Sequence, residues 1–174
     1  VKERKSYGIA FTDISTGEFV TTDFSGRDKD PREKLLSILS QYDPVEIIVP
    51  ADLKKDERLF LFLTDLTEAI IKTHENYVFK YQEAHELIKR HFNVSNLKGF
   101  GLEGRQVAVQ AAGGLLAFLK ETQRDVLPNI FKINLIQEEH ILHLDYVTQR
   151  NLELVSSLWE KGKDKPDVLI KYND

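Results

Sequence analysis

The stretch from residue 105 to residue 124 does most to limit how this chain folds. Its centre reads Ala111-Ala112-Gly113-Gly114-Leu115-Leu116-Ala117-Phe118-Leu119, apolar throughout and small-sided in the middle. The pattern predicts one long helix, closed off before Pro128. A glycine inside a helix costs about 1 kcal/mol relative to alanine, so a pair of them stands where another contact recovers the loss. A phosphate-binding loop sets its glycines ahead of a helix, with Lys-Ser or Lys-Thr after them. Gly113-Gly114 has neither feature, so the pair predicts close packing against another element and no nucleotide site.

Upstream of that helix, strands and helices alternate. Residues 7–14 and 18–24 read as two strands joined by the turn Ser15-Thr16-Gly17, which makes a hairpin. Pro31 suits the first position of a helix running to about Gln41, with Leu35, Leu36 and Leu39 on one face. Residues 45–49 are mostly apolar, β-branched and bracketed by Pro44 and Pro50, which predicts a buried parallel strand. Residues 59–66 are ambiguous by pattern and are read as a helix, and residues 68–73 as a further short strand. Residues 81–91 read as a helix with Ala84, Leu87, Ile88 and His91 on one side, followed by a loop over 94–101. Beyond Pro128, residues 132–137 and 141–144 read as extended, and Asp145 suits the cap of a helix beginning near Val147. Alternation before Gly101 predicts an α/β unit, and the mostly helical remainder predicts a domain boundary at residues 98–104.

Charge and composition narrow the function classes. Charged residues make up 30% of the chain, mixed in sign, with a net charge of -4, and this counts against direct grip on nucleic acid. The absence of cysteine excludes disulfides and thiolate metal ligands. No apolar run has the length of a bilayer span, and no signal peptide is expected. The chain starts at Val1 and holds no methionine, which predicts a piece of a longer protein.

Four groups of residues invite a chemical reading. His85 and His91 are six residues apart, about 240° around a helix, so they point to different sides and cannot share a metal. His140, His143 and Asp145 lie on an extended stretch where residues three apart face opposite ways, so a solvated histidine and a capping aspartate are expected. Asp13, Glu18 and Glu46 raise the possibility of a two-magnesium nuclease, yet no further carboxylates fall at fitting places on later strands. The basic clusters Lys54-Lys55, Lys89-Arg90 and 161–165 are interspersed with acids and read as solvated surface. No catalytic, cofactor-binding or metal-binding residue is therefore expected.

A resemblance to a known family adds what these residues alone do not reveal. Tyr7-Gly8-Ile9-Ala10-Phe11-Thr12-Asp13-Ile14-Ser15-Thr16-Gly17-Glu18-Phe19 resembles the opening hairpin of the connector domain in MutS DNA mismatch-repair ATPases. Pro44-Val45-Glu46-Ile47-Ile48-Val49-Pro50 resembles that domain's next strand. The helix around Gly113, Glu121-Thr122-Gln123, Leu144-Asp145 and Thr148-Gln149-Arg150-Asn151-Leu152-Glu153-Leu154 resemble the passage from connector to helical core. Residues 155–174 do not resemble the family's continuation.

The resemblance implies an α/β fold: a ribonuclease H-like connector without its active site over residues 1–101, then the start of a helical core and lever domain over 102–174. It implies a non-catalytic fragment needing no cofactor itself, within a longer cytoplasmic, nucleoid-associated bacterial protein that binds ATP with Mg. That protein would act as a homodimer on mismatched duplex DNA, without a membrane, and the connector would couple the mismatch-binding and ATPase domains and help engage MutL. The alternatives are a metal-dependent nuclease and a passive spacer. A further expectation is that the helix around Gly113, separated from its partner domains, exposes apolar positions.

Overall fold

A computed structural model describes residues 6–25, 31–123, 127–136 and 167–173. Strand β1 (Ser6–Asp13) and strand β2 (Glu18–Ser25) form the expected hairpin, paired from Ser6↔Ser25 to Asp13↔Glu18. Helix α1 (Pro31–Tyr42), strand β3 (Glu46–Pro50), helix α2 (Glu57–Leu66) and strand β4 (Ile70–His74) follow. The ambiguous stretch before residue 66 is therefore helical, and Asp56 caps it by accepting the Leu59 N–H. Helices α3 (Tyr81–Phe92) and α4 (Gln106–Thr122) come next, then the short strand β5 (Asn134–Leu135) and strand β6 (Asp167–Asn173).

The six strands make one sheet in the order β4-β3-β6-β1-β2-β5. β3 is parallel to β4 and to β6, β5 is parallel to β2, and β1 is antiparallel to both of its neighbours. The expected parallel strand at residues 45–49 is thus correct in kind, and its Ile47, Ile48 and Val49 are fully buried.

Side-chain alternation along the strands builds two cores, one on each face. Ile9, Phe11, Val20, Ile47 and Val49 pack with Leu35, Ile38 and Leu39 of α1 and Leu59 and Leu63 of α2. Ala10, Phe19 and Ile48 point the other way and pack with Ala84 and Ile88 of α3 and the buried stripe of α4. The result is helix, sheet and helix in three layers.

Two close approaches fix α4 in place. A Cβ on Gly113 would collide with Cα and Cβ of Ala84 in α3, so the glycine lets the two helices touch backbone to backbone. A Cβ on Gly8 would meet the Val107 carbonyl, so β1 and the first turn of α4 are equally close. The Thr21 hydroxyl, fully buried, lies 2.9 Å from the Ile9 carbonyl and 3.1 Å from that of Ala108, tying β2 to the same turn.

This arrangement corrects one expectation. α4 lies on the sheet and shares one core with β1, β2 and α3. Its apolar positions are not exposed: Ala108 to Ala112, Leu115, Leu116 and Leu119 are buried within the domain. β5 falls within the extended stretch expected over residues 132–137, and β5 and β6 both join the sheet. Periodicity identified the helix but not its partner, which lies some thirty residues upstream in α3 and a hundred upstream in β1. Among the described residues, no helix is long and apolar enough to cross a membrane.

Candidate functional site

The hairpin turn gathers the first two carboxylates. Asp13 Oδ1 accepts the Ser15 hydroxyl at 2.7 Å, the Ser15 N–H at 2.8 Å and the Thr16 N–H at 3.4 Å. The Ser15 hydroxyl, with those N–H groups behind it, holds the Asp13 carboxyl below its ordinary value. Glu18 stands opposite Asp13 across the ladder. Both border a cavity of about 230 Å³ lined also by Phe11, Thr12, Val20, Gln41 and Tyr42. Burial first, and the Glu18 charge second, push the Tyr42 phenol up.

Glu46 lies two strands away, because β6 separates β3 from β1. Two strand spacings are about 9–10 Å, and Glu46 is ion-paired to Lys72 of β4. Two-magnesium nucleases bring carboxylates around ions about 3.5–4 Å apart. Here one carboxylate organises a turn and another neutralises a lysine. Among the described residues, no three His, Asp or Glu side chains gather closely enough to hold a metal.

The histidines of α3 part company, as their spacing requires. His85 Nδ1 lies 3.3 Å from Glu86 Oε1, beside the Tyr81 ring. His91 Nε2 reaches the Ile130 carbonyl at 2.8 Å, on the side facing the segment that leads to β5. The basic clusters have acidic or carbonyl neighbours: Lys55 pairs with Asp52, Lys89 with Glu86, and Arg90 Nε donates to the Glu86 carbonyl. His140, His143, Asp145, the helix near Val147 and the basic stretch 161–165 lie outside the described residues.

Three features were not visible in the sequence. The first is a groove of about 580 Å³ where the turn Asn76–Phe79, α3 and α4 meet. Val78, Leu87, Ala117 and Leu127 give it an apolar floor, and Glu83, Arg90, Lys120 and Glu121 a charged rim. The second is His74 at the end of β4, set edge-on to Phe79 and Phe118, with its Nε2 3.7 Å from Glu121 Oε2. The third is the 2.7 Å pair between Arg105, just ahead of α4, and Asp23 on β2. Each joins segments far apart in the chain, so no local spacing announces them.

The described surface thus offers a groove on a three-layer body, in which Asp13 holds a turn, Asp56 a helix start and His91 the last turn of α3. Comparison with known proteins adds the family context. A family model described as MutS domain II matches residues 1–131. "DNA mismatch repair protein MutS" of Methanococcoides burtonii is 34% identical over 158 residues, covering 91% of this chain and 18% of the relative. The protein of the same name from Salinibacter ruber is 35% identical over 169 residues, 97% of this chain and 18% of its own length. That of Methanosarcina acetivorans is 36% identical over 163 residues, 94% of this chain and 18% of its length. The chain therefore spans about 18% of the length of the curated relatives it matches.

Proposed function

The chain belongs to the MutS family through its domain II, and on that premise we propose that it is a non-catalytic connector of a MutS-type DNA mismatch repair protein. The observation that carries this reading is that the family's domain II covers β1 through α4, and that these elements share one sheet and two continuous cores. A body packed in this way moves as a unit and transmits a displacement from one neighbouring domain to another. In the full protein the connector couples a mismatch-binding domain to an ATPase domain that binds ATP with Mg, and helps engage MutL. The full protein acts on mismatched duplex DNA as a homodimer, in the cytoplasm at the nucleoid.

The hairpin beside parallel strands supports a ribonuclease H-like sheet whose carboxylates serve structure. Because α4 completes the second core, the helical core domain of the longer protein starts after α4 rather than at residues 98–104. The nuclease alternative loses ground to the engagement of Asp13 with Ser15 and of Glu46 with Lys72. A passive spacer remains the reading to beat.

The test is a titration of the isotope-labelled chain with purified MutL N-terminal domain, followed by amide shifts. Shifts confined to one face of residues 7–101 support an engaging connector. No shifts at high concentration leave only the spacer. Mg-dependent cleavage of DNA, lost on Asp13→Asn, would overturn both in favour of the nuclease.

A further inference from the structure

The turn Leu127–Asn129 touches two places that the sequence keeps far apart. At one end, Leu127 is part of the lining of the groove of about 580 Å³, with Leu87 of α3 and Ala117 of α4. At the other, the Asn129 backbone lies against Gly17 at the tip of the β1–β2 hairpin. A Cβ on Gly17 would come within 2.4 Å of the Asn129 carbonyl oxygen and 3.1 Å of its carbon. The glycine is buried there, although Ser15, Thr16 and Glu18 around it are exposed.

Each end is braced, so a displacement at one is passed on rather than absorbed. In the hairpin turn, the Gly17 amide donates to the Asp13 carbonyl at 2.8 Å, and the Asp13 carboxylate holds Ser15 and Thr16. In the other turn, Pro128 fixes its own φ at about −65°. The Ile130 amide closes that turn by donating to the Leu127 carbonyl at 3.1 Å. Ile130 is buried and its carbonyl is bonded to His91, so it is the anchor. Pressure on Asn129 therefore tilts the turn about Ile130 and moves Leu127, at the other end of the same three-residue turn.

We propose that the turn Leu127–Asn129 is a movable wall that couples the groove to the hairpin tip. A change in the groove lining displaces the tip, and a displacement of the tip reshapes the groove. The wall has two positions. In one it is seated on Gly17 with Leu127 in the groove lining, and in the other it is lifted from Gly17 with the lining altered. Coupling of this kind is reciprocal, because both ends bias the same two positions. The inference goes beyond the connector reading and stands without it, since it concerns contacts within the chain.

Gly17 and Gly104 provide a matched pair for the test. Both hold positive φ, 74° and 75°, so alanine strains the backbone alike at either site, but only Gly17 has a neighbour in the way. Gly17→Ala should speed amide exchange at Ile130, whose bond closes the turn, on the order of tenfold more than Gly104→Ala does. It should also move the amide shifts of Glu83, Leu87 and Arg90, on the α3 side of the groove. The reverse direction uses two leucines that line the same groove and are both half-buried. Leu127→Ala should shift the amides of Ser15, Thr16 and Gly17. Leu87→Ala removes the same atoms from α3 and should leave those amides in place. This second pair decides the matter if Gly17→Ala does not fold. Equal effects within a pair, or shifts confined to the mutated end, would refute the coupling.

Discussion

Gly113 in α4 and Ala84 in α3 lie against each other so closely that a methyl group on the glycine would run into the alanine's Cα and Cβ. Two effects oppose each other on Gly113→Ala. Helix propensity favours alanine by about 1 kcal/mol, whereas overpacking against rigid backbone costs about 1–3 kcal/mol. The colliding atoms are backbone and a Cβ rather than the end of a flexible side chain, so the clash wins. Urea unfolding should show Gly113→Ala destabilised, while Gly99→Ala, with open space around it, stays within about 0.5 kcal/mol of the parent. A stabilised Gly113→Ala would mean that α3 and α4 do not touch there.

Asp13 makes a prediction in pH. Its carboxylate accepts from the Ser15 hydroxyl and from two N–H groups of the hairpin turn, and is held below its ordinary value. A group whose folded pKa is depressed adds stability above its unfolded pKa, and that contribution is lost as pH falls through the folded value. Asp13→Ala should therefore lose about 0.5–1 kcal/mol at neutral pH, on the low side because water reaches the turn. The gap between parent and variant should shrink as pH drops below the ordinary aspartate value of 3.8. Denaturant midpoints across pH 2.5–7 provide the measurement, and a gap that is constant with pH would exclude the carboxylate as its cause.

Arg105 and Asp23 meet at 2.7 Å where α4 begins beside β2, with the arginine side chain 42% and the aspartate 25% exposed. A half-exposed pair is worth about 0.2–1 kcal/mol and is screened by salt. A double-mutant cycle of Arg105→Ala and Asp23→Ala should give a coupling in that range, smaller in 1 M salt than in 0.05 M. A coupling that ignores salt would point to a packing role for the arginine stem rather than to charge.

The elements were largely legible in the sequence, because each rests on a local signal. Alternation marked β1 and β2, Pro31 opened α1, and the β-branched run between Pro44 and Pro50 marked β3. The carboxylates of the nuclease reading could be named but not weighed. Their fate depends on Ser15, which lies nearby, and on Lys72, which lies 26 residues beyond Glu46 on another strand. The neighbour of α4 was hidden for a related reason. A glycine pair in a helix says that something comes close, and only the fold shows that Ala84 is that neighbour. The groove at Leu87, Ala117 and Leu127 was illegible because each of its walls is an ordinary amphipathic segment on its own.

His91 gives the last prediction, and it separates local from global stability. Its Nε2–H donates to the Ile130 carbonyl at 2.8 Å, joining the last turn of α3 to the segment that leads into β5. That segment has few other anchors: β5 pairs with β2 over two residues, Ile136 adds one amide bond to Thr21, and the Thr22 hydroxyl donates to the Ile136 carbonyl. Ile130 and Ile133 are buried, while Phe131 is 79% exposed. Segments with few hydrogen bonds open independently of the core. His91→Ala removes one bond and part of a ring stack on Phe92, whose ring lies 4.6 Å away edge-on. Amide exchange across residues 127–136 should therefore speed up about tenfold, the equivalent of roughly 1.4 kcal/mol. Exchange in β1 and in the middle of α4, which reports global unfolding, should change much less. If protection falls equally everywhere, His91 supports the whole second core and not only the strap to β5.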